Sequence, residues 1–435
     1  MNRNGRFERI HAREVLDSRG RPTVEVDVTL NDGSFGRAIV PSGASTGKYE
    51  AVELRDHDEL WYGGLGVNLA VNHVNEVLGP ELKNSEISAS DQRAVDARLI
   101  ELDGTSDKSN LGANAILGTS LATARAAAQQ RSIPLFRHIS YLSSREVSPQ
   151  LPMITVNIIS GGAHGGDNLD MQDFLISPVG APDYRTSLAW SVRVRESVSK
   201  VLRDKGFHTH VVADEGGLAP FLDTHTDALE TIMQGIRGAG FEPGIDRDVA
   251  IAMDVAATEF HVDGVYELRS ENRSLSSSQM ISLLADWTSR YPILSIEDGL
   301  SEDDWEGWKV LTRVIGDRVQ LVGDDLFTTN SERLRCGISG GIANSVLVKL
   351  NQIGTLTETI DLIDLAMESG YIPVVSARSG ETEDPFIADL VVGTATPQFK
   401  VGSTTRSERT AKWNQLLRIE EELGPDALFV GREAF

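Results

Sequence analysis

Apolar and polar residues alternate with period two along Thr23-Val24-Glu25-Val26-Asp27-Val28-Thr29-Leu30, the pattern of a strand with one buried face. Asn31-Asp32-Gly33 is a turn signal, and Phe35 to Val40 returns as a second strand. After the small-residue loop Ser42-Gly43-Ala44-Ser45-Thr46-Gly47, helical patterns take over, the clearest running from Ala113 to Gln130. The first block therefore predicts a small α+β domain over residues 1–140.

From about residue 150 short apolar runs alternate with helical stretches, and most runs end in a polar residue. Val249–Met253 ends at Asp254, Pro292–Ile296 at Glu297, Val319–Gly323 at Asp324 and Ser345–Val348 at Lys349. Ile372–Ser376 ends at Ala377-Arg378. These end points are about 25 to 43 residues apart, comparable with one βα unit of an eight-repeat barrel. Ser301-Glu302-Asp303-Asp304 reads as a capping box opening a helix at Trp305. The rhythm predicts parallel strands and a fold class of α/β, with residues 141–435 forming a C-terminal (β/α)8-type barrel.

A closed barrel opens all its strand C-termini at one mouth, so residues remote in sequence converge there. Asp254, Glu297 and Asp324 would then be neighbours, and their mutual repulsion calls for a hard divalent cation. All-oxygen ligation suits magnesium. Lys349 lies in the apolar run Val346–Leu350, where desolvation and nearby cations are expected to lower its pKa and fit it as a base. Arg378-Ser379-Gly380 and Lys400 follow on later strands as donors to phosphate and carboxylate. Each has a plain structural reading when taken singly: strand-end acids cap helices, and Lys349 pairs with one of them. Only the cluster carries weight.

Two further loops fit less specifically. Ser160-Gly161-Gly162-Ala163-His164-Gly165-Gly166 admits close backbone approach and carries one histidine, but a plain turn is equally open. Asp214-Glu215-Gly216-Gly217 sets a carboxylic acid on a tight turn, as a general acid or an ordinary acidic turn.

Composition narrows the field. Lys plus Arg number 41 and Asp plus Glu 64, a net charge of 41 − 64 = −23 that excludes nucleic acid and anionic lipid as partners. An anionic substrate would need cations gathered at its site. The single cysteine, Cys336, excludes an intrachain disulfide framework and fits a reducing compartment. The first residues carry no apolar secretory core, and no apolar run is long enough to span a bilayer, so the expected location is the cytoplasm.

Ser42–Gly47, Asp214–Gly217, Met253-Asp254-Val255-Ala256-Ala257, Ser295–Asp298, Gly323–Leu326, Lys349–Gly354, Arg378–Asp384 and Arg406–Arg409 together resemble enolase, the phosphopyruvate hydratase family of glycolysis. The similarity runs from about Arg9 to Leu423. It implies that Lys349 takes the C2 proton of 2-phosphoglycerate and that Glu215 helps the 3-hydroxyl leave. Asp254, Glu297 and Asp324 are implied ligands of a tightly held magnesium, with Ser45 meeting a second one that arrives with substrate. Lys400 would face the substrate carboxylate, and Arg378 and Ser379 its phosphate. Ala44, His164 and Gln172 match further pocket positions, and Asp173 stands at a catalytic position. The family also implies a homodimer or an assembly of dimers.

The chain departs from that family's pattern at five places. Ala377 stands where the family has a histidine, Asp173 replaces a glutamate, Ser160 an asparagine, Gly299 a proline and Ala213 a glycine. The first four shrink a side chain, and three of those are expected near substrate. The primary reading is a magnesium-dependent hydratase. An alternative is an enolase-derived enzyme with an enlarged pocket for a related phospho- or phosphono-carboxylate, like the carboxyphosphonoenolpyruvate synthases of phosphonate antibiotic pathways. A third is a catalytically silent binding protein.

Overall fold

The computed structural model describes residues 5–43, 47–166 and 168–435. Strands β1 (Phe7–Leu16), β2 (Pro22–Leu30) and β3 (Phe35–Ile39) form an antiparallel sheet in that order. The period-two run puts Val24, Val26, Val28 and Leu30 at 0 % exposure, each burial worth about 1.5–3 kcal/mol. They pack under the helix Ala113–Gln130, whose small residues let it lie close. A Cβ on Gly118 would come within 2.6 Å of Val26 Cγ2, so glycine sets that approach.

Further along, β4 (Met153–Ser160), β5 (Asp173–Ser177) and β6 (Ala250–Asp254) are followed by a small antiparallel sheet, β7 (His261–Val262), β8 (Val265–Leu268) and β9 (Arg273–Leu275). Then come β10 (Ile293–Glu297), β11 (Gln320–Gly323), β12 (Ser345–Val348), β13 (Ile372–Ser376) and β14 (Gln398–Gly402). The barrel closes in the order β10-β11-β12-β13-β14-β4-β5-β6.

Every barrel pairing is parallel except those of β5, which runs antiparallel to both β4 and β6. This corrects the all-parallel expectation. The β4–β5 connection is a short loop rather than a crossover helix, so the chain simply turns back. The reversal has a consequence for chemistry: the first residue of β5, Asp173, faces the same mouth as the last residues of its neighbours, and it pairs with Ser160 and Asp254.

The helix at Trp305 is also capped differently from the sequence reading. Its N-cap is Asp304, whose side chain accepts from Gly307 N, while Ser301 N donates to Tyr266 Oη. Tertiary contact holds residues 301–303 in a turn, so the capping residue lies three positions later.

The N-terminal domain docks on the barrel mouth. Arg125 makes two bonds to Asp384, which also accepts from Ile39 N. Ser42 and Gly380 exchange backbone bonds at 2.8 and 2.9 Å, which brings the loop around residue 43 over the strand ends. Among the described residues, no helix is long and apolar enough to cross a membrane.

Candidate active site

Asp254 and Glu297 are the last residues of β6 and β10, and Asp324 and Lys349 directly follow β11 and β12. Parallel pairing of these four adjacent strands sets the side chains around one opening. Ser376 closes β13, with Ala377 and Arg378 just beyond, and Lys400 sits inside β14. An open-mouthed cavity lies there, lined by His164, Gln172, Glu215, Asp254, Lys349, Arg378, Ser379 and Lys400, with Ala377 on its wall. These eight lining residues were all predicted from sequence. Glu297 and Asp324 stand behind the two lysines, and Asp173 behind His164. Ala44 and Ser45 fall outside the described residues.

The charges interlock. Lys400 Nζ donates to Asp254 Oδ2 at 2.6 Å and to both Glu297 oxygens at 2.8 and 2.7 Å. Lys349 Nζ donates to Asp324 Oδ2 at 2.5 Å. Burial, with Asp254 beside it, pushes the Glu297 carboxyl well above the usual range. Burial also acts to raise Asp324, but the Lys349 ammonium outweighs it and holds that carboxyl below its ordinary value.

The carboxylates suit a cation without closing on one another. Among the described residues, the groups whose ligand atoms converge within 4.8 Å are His164–Asp173–Glu215 and Asp298–Asp324–Asp325. Asp254, Glu297 and Asp324 are spread over adjacent strands, with ammonium groups balancing their charge. The donor set is oxygen only and deeply buried, the kind that magnesium takes.

Residues 7–139 match the family model of the enolase N-terminal domain, and residues 148–435 that of the enolase C-terminal TIM barrel domain. The chain belongs to the enolase family. It is an enolase-family lyase of the hydro-lyase type, and the reading as a silent binding protein is set aside.

One sequence expectation for this lyase needs correction. Lys349 was expected to have a lowered pKa. Burial does lower it, but Asp324 outweighs burial and the amine ends above its ordinary value. Glu215, the candidate acid, faces the same cavity. Burial raises its carboxyl, yet His164 and then Arg409 outweigh that and leave it lowered. Beside it, burial raises the Asp173 carboxyl, and at His164 burial acts to lower the imidazole but Asp173 outweighs it and brings the group to about 8.

Of the five departures, only Ala377 lines the cavity. Asp173 is fully buried, donating no wall but accepting from Asn157 and meeting His164 Nδ1 at 3.2 Å. Ser160 is bonded to Asn157 Nδ2 at 3.0 Å behind the site. A Cβ on Gly299 would touch Leu284, Ile296 and Leu311, so that position packs a helix on a strand. Ala213 sits in the turn that carries Glu215.

Sequence reasoning missed the supports. Glu50 binds Arg378 Nη1 at 3.1 Å and accepts from Gln352, which also donates to Asp324 Oδ1 at 2.9 Å. Asp298 accepts the backbone amides of Asp324 and Asp325 at 3.0 and 2.7 Å. Arg409 bonds the carbonyls of Arg378 and Ser379, each at 2.6 Å. Asp298 and Arg409 lay inside the motifs quoted above, but their targets are backbone groups that only the fold brings near.

Proposed function

We propose that this lyase abstracts the C2 proton of 2-phosphoglycerate and eliminates water to give phosphoenolpyruvate, with magnesium as cofactor. The observation that carries the reading is the juxtaposition of Lys349, Lys400 and Arg378 on one cavity wall, with three carboxylates behind them. It explains how a chain of net charge −23 binds an anion: the positive groups are concentrated where the anion sits.

Asp254, Glu297 and Asp324 would hold one magnesium, and by the family's sequence pattern Ser45 would meet a second. Bound magnesium supplies positive charge to an enolate formed beside a carboxylate. Lys349 stands at the cavity to receive the C2 proton, and it accepts one once Asp324 is engaged elsewhere and no longer holds the amine charged. Lys400 faces the substrate carboxylate, while Arg378 and Ser379 hold the phosphate. Arg409 fixes the backbone of both. In the same cavity His164, with Asp173 behind it and Glu215 beside it, carries the proton needed by the departing hydroxyl.

A second reading rests on Ala377. A methyl group stands on the cavity wall between Ser376 and Arg378, where the family pattern has an imidazole. The freed volume suits a bulkier phospho- or phosphono-carboxylate, as in a carboxyphosphonoenolpyruvate synthase. The protein is mixed with 2-phosphoglycerate and magnesium, and the ultraviolet absorbance of the enol double bond is followed. Rapid growth supports the hydratase. Slow growth that Ala377→His with Asp173→Glu restores supports the larger-substrate enzyme. No growth in either protein, with no C2 exchange, contradicts both.

The working unit is proposed to be a homodimer or an assembly of dimers. Leu16, Leu60, Trp61 and Leu69 of the N-terminal domain all remain exposed, and Trp61 bonds Glu14 on β1.

A further inference from the structure

The Glu215 side chain lines the cavity, yet among the described residues no hydrogen bond holds its carboxylate. Its place against His164 is therefore set by the backbone of the turn at residues 213–217. Within that turn Ala213 N donates to Gly217 O and Gly216 N to Ala213 O, each at 2.9 Å. The turn is also tied to the segment after β14: Ser403 N donates to Glu215 O at 2.8 Å, and Thr405 Oγ1 to Gly216 O at 2.9 Å. Gly216 has φ +83°, and a Cβ there would lie 2.8 Å from Thr405 O, so glycine permits this close approach.

One more contact reaches the turn from a distant helix. Arg195, on the buried face of the helix Tyr184–Asp204, donates through Nη2 to Gly216 O at 3.1 Å and through Nε to Ser403 Oγ at 3.0 Å. Its side chain is 7 % exposed, and its one ion pair among the described residues is with Glu196 at 3.6 Å, a carboxylate 65 % exposed. Burying a guanidinium without a buried carboxylate is costly, and an apolar side chain of like length would pack the helix without that cost. The planar fork instead bridges the Glu215 turn and the segment that leaves β14.

We propose that Arg195 is a positioning residue: it clamps the Glu215 turn to the segment after β14 and so fixes the Glu215 carboxylate beside His164. It does not line the cavity and acts only through the groups it holds. Lys349, by contrast, is held by Thr329 Oγ1 and Asp324, which Arg195 does not reach. Losing Arg195 therefore slows the elimination of water more than proton exchange at C2, a consequence that rests on the function proposed above.

Arg195→Met keeps the length of the side chain and removes the fork, while Arg195→Lys keeps the charge and gives up the planar geometry. Crystals of wild type and each variant are compared at the Glu215 turn. Each full-length protein is also assayed with 2-phosphoglycerate and magnesium, both for phosphoenolpyruvate formation and for deuterium incorporation at C2. In Arg195→Met the Glu215 carboxylate shifts by about 1 Å or more, and elimination falls by about 10–100-fold while C2 exchange stays within about twofold. Arg195→Lys falls between that variant and wild type. A merely structural role would lower both rates together, in step with the folded fraction. A Glu215 turn superposable on wild type, or two rates that fall in the same proportion, overturns the proposal. Where Arg195→Met does not fold, Arg195→Lys is read by the same two criteria. Should wild type neither exchange nor eliminate, the function proposed above fails, and the crystals alone decide the clamp.

Discussion

Gln352 Nε2 donates to Asp324 Oδ1 at 2.9 Å while its carbonyl oxygen accepts from Thr329 Oγ1 at 2.6 Å, so one fully buried amide fixes the plane of a carboxylate on the next strand end. Partners that orient a metal ligand are worth roughly 10–100-fold in metal affinity or activity. Gln352→Ala is therefore expected to raise the magnesium concentration for half-maximal activity by about 10–100-fold, with the circular dichroism spectrum unchanged. An unchanged magnesium requirement would show that Asp324 is not a ligand.

Lys400 balances Asp254 and Glu297 at the centre of the mouth. Removing one partner of a buried ion pair costs about 3–5 kcal/mol. Lys400→Met should melt well below wild type in a chelator. A bound cation stabilises by about 2.7 kcal/mol at a hundred times its dissociation constant, and in the variant it also relieves the carboxylate repulsion. Magnesium should thus raise the melting temperature more for Lys400→Met than for wild type. Equal shifts in scanning calorimetry would argue against cation binding at these acids.

The two domains are joined through Asp384, which accepts two bonds from Arg125 and the amides of Ile39 and Phe386. Burial raises this carboxyl, but Arg125 outweighs it and the group stays below its ordinary value. Asp384→Ala leaves the buried Arg125 charge without its carboxylate and two amides unpaired, and the expected loss is about 3–5 kcal/mol in urea unfolding. A loss under about 1 kcal/mol, the range of a surface pair, would mean that this contact does not hold the domains together.

His138 offers a pH test away from the site. It is fully buried, and burial, assisted by Arg131, pushes its imidazole down to about 4. In the unfolded chain the group titrates near about 6.5, so between those values the unfolded state binds more protons. Stability is complete above about pH 6.5 and falls as pH drops toward 4, by about 3 kcal/mol in full. His138→Leu should flatten that part of the profile measured by urea unfolding. A profile of the same slope in the variant would place the acid sensitivity elsewhere.

Much of this was legible in the sequence because barrel strands announce their own ends. Asp254, Glu297, Asp324 and Lys349 each terminate an apolar run, and each run proved to be a strand ending at the same mouth. The helix Ala113–Gln130 also keeps the bounds its composition suggested. The direction of β5 was hidden, since Phe174-Leu175-Ile176 is buried on both faces and reads alike either way. The charge state of Lys349 was hidden too. Desolvation is visible in an apolar run, but the 2.5 Å contact with Asp324 comes from another strand. Glu50 belongs to a loop of the N-terminal domain, 328 residues from the arginine it pairs with, and nothing local marks it.

The central claim is that Lys349 removes a carbon-bound proton only in concert with a cation held by the three acids. The most direct measurement is deuterium incorporation at C2 of 2-phosphoglycerate in heavy water, followed by proton magnetic resonance with and without magnesium. The wild-type protein should exchange that proton with magnesium and stop when a chelator is added. Lys349→Ala should lower the rate by at least about 10²–10⁴-fold under the same conditions. Exchange that persists in the chelator, or in Lys349→Ala, would contradict the account.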